Sequence, residues 1–290
     1  MNRYGKTIRS IRIGKGLSQK DLYTGIISKS YAIGFEQGKH NITINLFEKI
    51  IQRLNMNLDE FFFLYRDTNS SLETDLWYEH EKFGRSYDIK QLSHLLAVLQ
   101  TQQTPIGLVR SALVKARIKI INATLSDSKL IQPARIINPD DLLLIQSFLF
   151  TAQTWTLEEI KILANTLSLF EPVLQDQFFS QAQKSFTLYQ SYDRGRSVFS
   201  SLFIHMIVEL IKRNELTRAE SYLNQLSDLI DYYEGAVYKI LVVYLRGILQ
   251  IKSGQKTAGH KKARRAVDLL ASLDYSDLSA FYGAMLDRIV

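Results

Sequence analysis

Residues 17–38 read LSQKDLYTGIISKSYAIGFEQG, and the placing of polar, apolar and glycine positions in this stretch predicts a helix-turn-helix. Ser18 suits an N-cap, because its hydroxyl can accept a backbone N–H left unpaired in the first helical turn. Gln19 to Thr24 then form a short, half-buried helix around Leu22. Gly25 stands where a helix ends in a left-handed turn, and Ile26 and Ile27 bury that turn. Ser28 is a second N-cap, opening a helix from Lys29 to about Gln37 that Gly38 closes. Two short helices joined by a tight turn hold the N-terminal side chains of the second helix outward, where a major groove can receive them. The plain alternative is an ordinary helical hairpin.

The flanks extend the reading. Tyr4 to Lys15 reads as a basic helix with Ile8 and Ile11 inward and Lys6, Arg9 and Lys15 outward. Ile42 to Leu54 and Leu58 to Leu64 are two further apolar-periodic helices. Residues 1–66 therefore form a five-helix DNA-binding domain. They carry 11 Lys and Arg against 5 Asp and Glu, so they hold six of the chain's seven net positive charges. Contact with phosphates requires that placement.

Composition narrows the function classes. Cysteine is absent, which removes disulfides, thiolate nucleophiles and Cys-based zinc sites. The histidines, at 40, 80, 94, 205 and 260, lack metal-ligand spacing, and His205 inside LFIHMIV is expected to be a hydrogen-bonded core residue. No phosphate loop, dinucleotide fingerprint or nucleophile elbow is present. The expectation is a protein that is not an enzyme and needs no cofactor and no metal. Neither a secretory start nor an apolar run of membrane-spanning length appears, so a cytoplasmic protein without membrane insertion is expected.

Arg66 to Ser71, RDTNSS, is a polar, turn-rich break, and residues 67–71 are taken as a linker. Residues 72–290 then read as helix after helix, near 72–85, 88–102, 105–122, 139–153, 156–169, 172–190, 197–213, 215–230, 234–252, 256–272 and 274–289. Pro105, Pro133, Pro139 and Pro172 fall at helix starts or between helices. Strand signals are missing, so the fold class is all-α. Shifted by 40 residues, Leu202-Phe203 falls on Val242-Val243, Ile211-Lys212 on Ile251-Lys252, Leu226 on Ala266 and Leu229-Ile230 on Leu269-Leu270. Each unit has the length of a tetratricopeptide-like hairpin. Such hairpins stack into an array with a concave face, which binds an extended partner or serves only as a dimerisation scaffold. Residues 141–150, DLLLIQSFLF, are apolar on nearly every side and are expected to be enclosed. Trp155 and Phe170 read as core. His260, Lys261, Lys262, Arg264 and Arg265 read as a solvated face, with capture of an acidic peptide as the functional alternative.

Residues 5–62, GKTIRSIRIGKGLSQKDLYTGIISKSYAIGFEQGKHNITINLFEKIIQRLNMNLDEFF, resemble the N-terminal domain of the Rgg/MutR transcriptional regulators of Gram-positive bacteria. The GIIS turn, the FE-x-G ending and the LN-x-x-LDEF tail carry the resemblance. The remainder matches less specifically, in length, helicity and a central segment near Trp155. Similarity to phage-repressor-type domains implies that Arg12 pairs with Glu36. It implies that Gln19 and Ser28 lie at phosphates, with Lys29, Ser30 and Tyr31 at base edges or phosphates and Ser18 also among the DNA-binding residues. Lys39 and Asn41 would touch the DNA backbone. The usual pattern is polar at Ile33 and long at Gly34. The departure suggests that Gly34 lets the helix approach DNA while Ile33 packs on a thymine methyl; tight packing inside the domain is the rival account of Gly34.

Rgg proteins belong to a wider set of regulators whose helical repeats bind imported signalling peptides. The resemblance therefore implies a homodimer on a double-stranded DNA operator, controlled by a short hydrophobic peptide in quorum sensing. Tyr offers apolar area plus a hydroxyl for holding a peptide. Gln153, Tyr189, Tyr192, Tyr233 and Tyr238 are the candidates for that role. A ligand-independent or partner-controlled regulator is the alternative. A scaffold with a degenerate helix-turn-helix is a second, opposed by intact Arg12, Gln19, Ser28 and Glu36.

Overall fold

The computed structural model describes residues 4–69, 76–125, 137–231 and 235–288. Ser70 and Ser71 of the expected linker, Pro133, Tyr233 and Ile289 lie outside them. Among the described residues all regular structure is helical, and the chain divides into two compact units, Met1–Leu76 and Trp77–Val290.

The first unit contains α1 (Tyr4–Gly14), α2 (Gln19–Tyr23), α3 (Lys29–Glu36), α4 (Ile44–Arg53) and α5 (Leu58–Asn69). Ser18 caps α2 in a reciprocal box: its Oγ accepts from Asp21 N at 3.1 Å, while Asp21 Oδ2 accepts from Ser18 N at 2.9 Å. Ser28 caps α3, accepting from Tyr31 N at 3.3 Å. Gly25 and Gly38 take φ of 79° and 76° and turn the chain after α2 and α3. Ile8, Leu22, Ala32, Phe35, Ile50 and Phe61 are fully buried between these helices. The ring of Phe61 meets Phe47 edge-on at 4.9 Å, and Tyr4 meets Tyr65 at 4.7 Å. The helix of α5 continues to Asn69, past the start of the polar break at Arg66.

The second unit runs α6 (Leu76–Arg85), α7 (Ile89–Gln100), α8 (Pro105–Leu125), α9 (Pro139–Thr151), α10 (Leu157–Thr166), a 3₁₀ turn (Leu167–Leu169), α11 (Pro172–Gln183), α12 (Phe186–Tyr189), α13 (Asp193–Lys212), α14 (Leu216–Leu229), α15 (Ala236–Lys252), α16 (Lys256–Ser272) and α17 (Ser276–Asp287). Pro105, Pro139 and Pro172 each open a helix, where a missing N–H costs nothing. The helix expected over 172–190 is two, broken at Lys184–Ser185. There Ser185 Oγ donates to Trp155 O at 2.8 Å, and Phe186 turns edge-on to Phe199 at 5.2 Å. The 3₁₀ turn after α10 is held by buried Gln175, whose Nε2 donates to Leu167 O at 3.1 Å and Phe170 O at 2.9 Å.

The 40-residue register holds in the backbone. Asn214 and Gly254 both take positive φ, 60° and 92°. Glu215 N donates to Leu210 O at 2.9 Å, and Gln255 N to Gln250 O at 2.8 Å. Each is the closing bond of a Schellman turn. Asp274 repeats the geometry once more, with Tyr275 N donating to Leu270 O at 2.9 Å. Leu202, Ile211, Leu226 and Ile230 are buried, as are their counterparts Val242, Ile251, Ala266 and Leu270.

Two expectations fail here. The segment 141–150 is not enclosed: Ile145 and Leu149 are buried, but Leu143 and Phe150 are 60% and 48% exposed. Its apolar composition serves a packed face and an open one. His205 does make a hydrogen bond, its Nδ1 donating to Ala164 O at 2.6 Å. It is nevertheless exposed rather than core, because its neighbours Ile204 and Met206 take the inward positions.

Candidate nucleic-acid interface

The first unit is built around one buried carboxylate. Glu36, in the last turn of α3, is only 3% exposed. Its Oε1 accepts from Arg12 Nε at 2.7 Å and from Tyr23 OH at 2.9 Å. Its Oε2 accepts from Arg12 Nη2 at 2.9 Å and from Gln19 Nε2 at 2.8 Å. Arg12 Nη1 also donates to Leu17 O at 2.8 Å. One acid thus ties α1, both ends of α2 and α3 together, with a bidentate guanidinium at the centre. Burial alone would push the Glu36 carboxyl up, but the bonds from Arg12, Gln19 and Tyr23 outweigh it and hold it below the usual carboxylate range. Burial, with the Glu36 charge, pushes the Tyr23 phenol up, and the Glu36 hydrogen bond raises Arg12.

Around that frame the expected DNA-facing residues separate into groups. Ser18, Ser28, Lys29, Ser30, Lys39 and Asn41 are exposed. Tyr31 and Ile33 stand 39% and 38% exposed on α3. Gln19, at the start of α2, is half-buried and gives its amide nitrogen to Glu36, whose second oxygen would otherwise lack that donor. Gly34 is buried, and a Cβ there would lie 2.1 Å from His40 Cδ2.

Tyr23, His40 and Arg53 are participants that sequence reading missed. Arg53 Nη1 donates to Leu22 O at 3.1 Å and Thr24 O at 2.6 Å, satisfying carbonyls at the end of α2. These partners are far apart in the chain, so no local pattern marks them.

In the second unit, Tyr189, Tyr192 and Tyr238 gather at the start of α13. Tyr192 N donates to Tyr189 O at 3.0 Å, and Tyr238 OH donates to Ser197 O at 3.1 Å. Gln153, in the turn after α9, is held by α11, its carbonyl accepting from Gln181 Nε2 at 3.1 Å. Among the described residues no helix is long and apolar enough to cross a membrane.

Comparison with known proteins agrees with both units. Residues 8–61 match the helix-turn-helix family, and residues 92–284 match the C-terminal domain of the HTH-type transcriptional regulator Rgg. The chain belongs to the Rgg family. As an Rgg protein it is a helix-turn-helix transcription regulator, in family and fold unlike an enzyme. A solved structure from Listeria monocytogenes EGD-e, described as a transcriptional regulator, is 37% identical. It covers 99% of this chain and 97% of its own, with a TM-score of 0.86. The Streptococcus dysgalactiae SHP pheromone receptor Rgg2 shares the fold at 20% identity, covering 99% and 100%, with a TM-score of 0.75. A bacterial peptide pheromone–receptor complex shares it at 17% identity, covering 100% and 99%, with a TM-score of 0.71.

Proposed function

We propose that this Rgg protein is a cytoplasmic homodimer that reads a double-stranded operator through α3 and answers to a short hydrophobic peptide held by the repeat unit. The observation that carries the DNA part is the face of α3. Lys29, Ser30, Tyr31 and Ile33 project from a helix that the Arg12–Glu36 network fixes in place. Lys29 and Ser30 lie in its first turn, beside backbone N–H groups that favour phosphate. One such helix makes too few base contacts for a specific site, so two copies on a two-fold operator are required. Similarity in fold to Rgg2, a pheromone receptor, and to a peptide pheromone–receptor complex supports the peptide part. The tyrosines at the start of α13 offer apolar rings and hydroxyls for such a ligand.

A peptide acts on such a dimer only through its different affinity for two arrangements of the pair. The test is a titration of the full chain against sheared genomic DNA, with and without peptides recovered from the culture medium. We expect retention of a fragment holding an inverted repeat, and a shift in its affinity with one peptide fraction. Replacement Lys29→Ala should weaken that complex by ~1–3 kcal/mol if Lys29 reads a base, or lower the salt slope by about one if it meets phosphate. A titration showing neither effect would remove Lys29 from the interface, and a fragment affinity indifferent to every peptide fraction would leave a ligand-independent regulator.

A further inference from the structure

Gly34 removes a side chain from α3, and the imidazole of His40 occupies the vacated space. A Cβ on Gly34 would fall 2.1 Å from His40 Cδ2 and 2.4 Å from Nε2. The ring is held there from its flat side by Tyr31, stacked at 4.8 Å between centroids with 20° between planes. The loop carrying it is tied down twice. Tyr31 OH donates to Asn41 O at 2.6 Å, and Lys39 N donates to Gly34 O at 2.8 Å. His40 nevertheless remains exposed, on the same side of α3 as Tyr31.

The consequence is a recognition surface assembled from two chain segments. A side chain from the loop after Gly38 lies where residue 34 of the helix would otherwise project. Its edge nearest α3 is the Cδ2–Nε2 bond, so the opposite edge of the ring is turned away from the helix. Imidazole is a planar group with an N–H donor, and a purine presents acceptors in the major groove: N7 in both cases, with O6 added in guanine. Stacking on Tyr31 and the two loop bonds restrict the ring before DNA arrives, so less ordering has to accompany contact.

We propose that His40 is a specificity-determining residue of this protein, reading a purine in each half-site in place of a side chain at position 34. This rests on the reading of α3 as the DNA-contacting helix. The experiment is selection of binding sites from a random double-stranded pool by the full chain, by His40→Ala and by His40→Gln, each checked for unchanged thermal unfolding. We expect the wild type to select a two-fold motif, and His40→Ala to lose about tenfold preference at one base pair per half-site while the other positions stand. His40→Gln, which keeps an N–H donor, should retain a purine preference there. A His40→Ala protein that selects the unchanged motif, or that weakens equally on every sequence, overturns the proposal. A wild-type chain that selects no motif overturns the DNA reading itself.

Discussion

At the scale of single residues, the first unit depends on Glu36. Its two oxygens receive four donors, so truncating it strands the Arg12 guanidinium at 8% exposure. Leaving a buried charge without its partner costs ~3–5 kcal/mol. Calorimetry of Glu36→Ala in the full chain should therefore show the first unit melting earlier, by that amount, with the second unit unmoved. Because the folded Glu36 carboxyl sits below its unfolded value of about 4.3, its contribution is complete above that pH. It is lost as pH falls through the depressed value. In the second unit His80 works in the opposite chemical sense. It is 5% exposed, and burial, together with the Arg117 charge, pushes its imidazole down to about 4. The unfolded group protonates near 6.5, so below that pH the unfolded chain takes the proton first and stability falls until about pH 4. Over that window the loss is up to about 3 kcal/mol. A His80→Gln chain should unfold with a flatter pH dependence between 6.5 and 4; an unchanged slope would assign the titration to another group.

At the scale of elements, the two clearest hairpins share register but not volume. Ile207, Ala219, Leu223 and Leu226 of α13 and α14 correspond to Gly247, Gly259, Ala263 and Ala266 of α15 and α16. Small residues let the second pair meet backbone to backbone. A Cβ on Gly259 would lie 2.5 Å from Gly247 O and 2.7 Å from Ile251 N. No flexible side chain can yield at those atoms, so Gly259→Ala should cost ~1–3 kcal/mol by overpacking. Placing Ala at Gly254, where no atom lies within 4 Å, is a control in which only the positive φ is penalised. Chemical denaturation of the second unit measures both, and equal losses in the two variants would remove the close crossing as the cause. Between the hairpins and the rest, Asp176 of α11 accepts from Arg213 at 3.2 Å and Arg218 at 3.1 Å, pinning the α13–α14 turn.

At the scale of the molecule, the repeat leaves a face uncovered. Leu229 is 8% exposed, yet its counterpart Leu269 is 40% exposed, with Leu273 at 54% and Phe281 at 52% nearby in sequence. Large apolar side chains in the open, on α16, just past its end and on α17, are suited to a self-complementary contact across a two-fold axis. The double variant Leu273→Asp, Phe281→Asp should sediment as a monomer at micromolar concentration where the wild type sediments as a dimer. A variant that stays dimeric would move the interface off this face, and a monomeric wild type would remove dimerisation from the proposed function.

The sequence by itself determined most of the helices, the caps of α2 and α3 and the repeat register. These are set by neighbours a few residues apart: Ser18 and Ser28 cap through groups three residues on, and positive φ at Asn214 and Gly254 closes turns within one helix end. Similarity of motif is enough to place Arg12 opposite Glu36. The tertiary structure decided what depends on volume and on distant partners. Gly34 reads in sequence as a gap facing DNA, but only packing brings the His40 ring into that gap. Gln19 sits in an exposed-looking polar run, yet the buried carboxylate it meets is on another helix. The apolar run at 141–150 looks enclosed on composition alone. Burial, however, depends on which neighbours arrive, and Leu143 and Phe150 stay open.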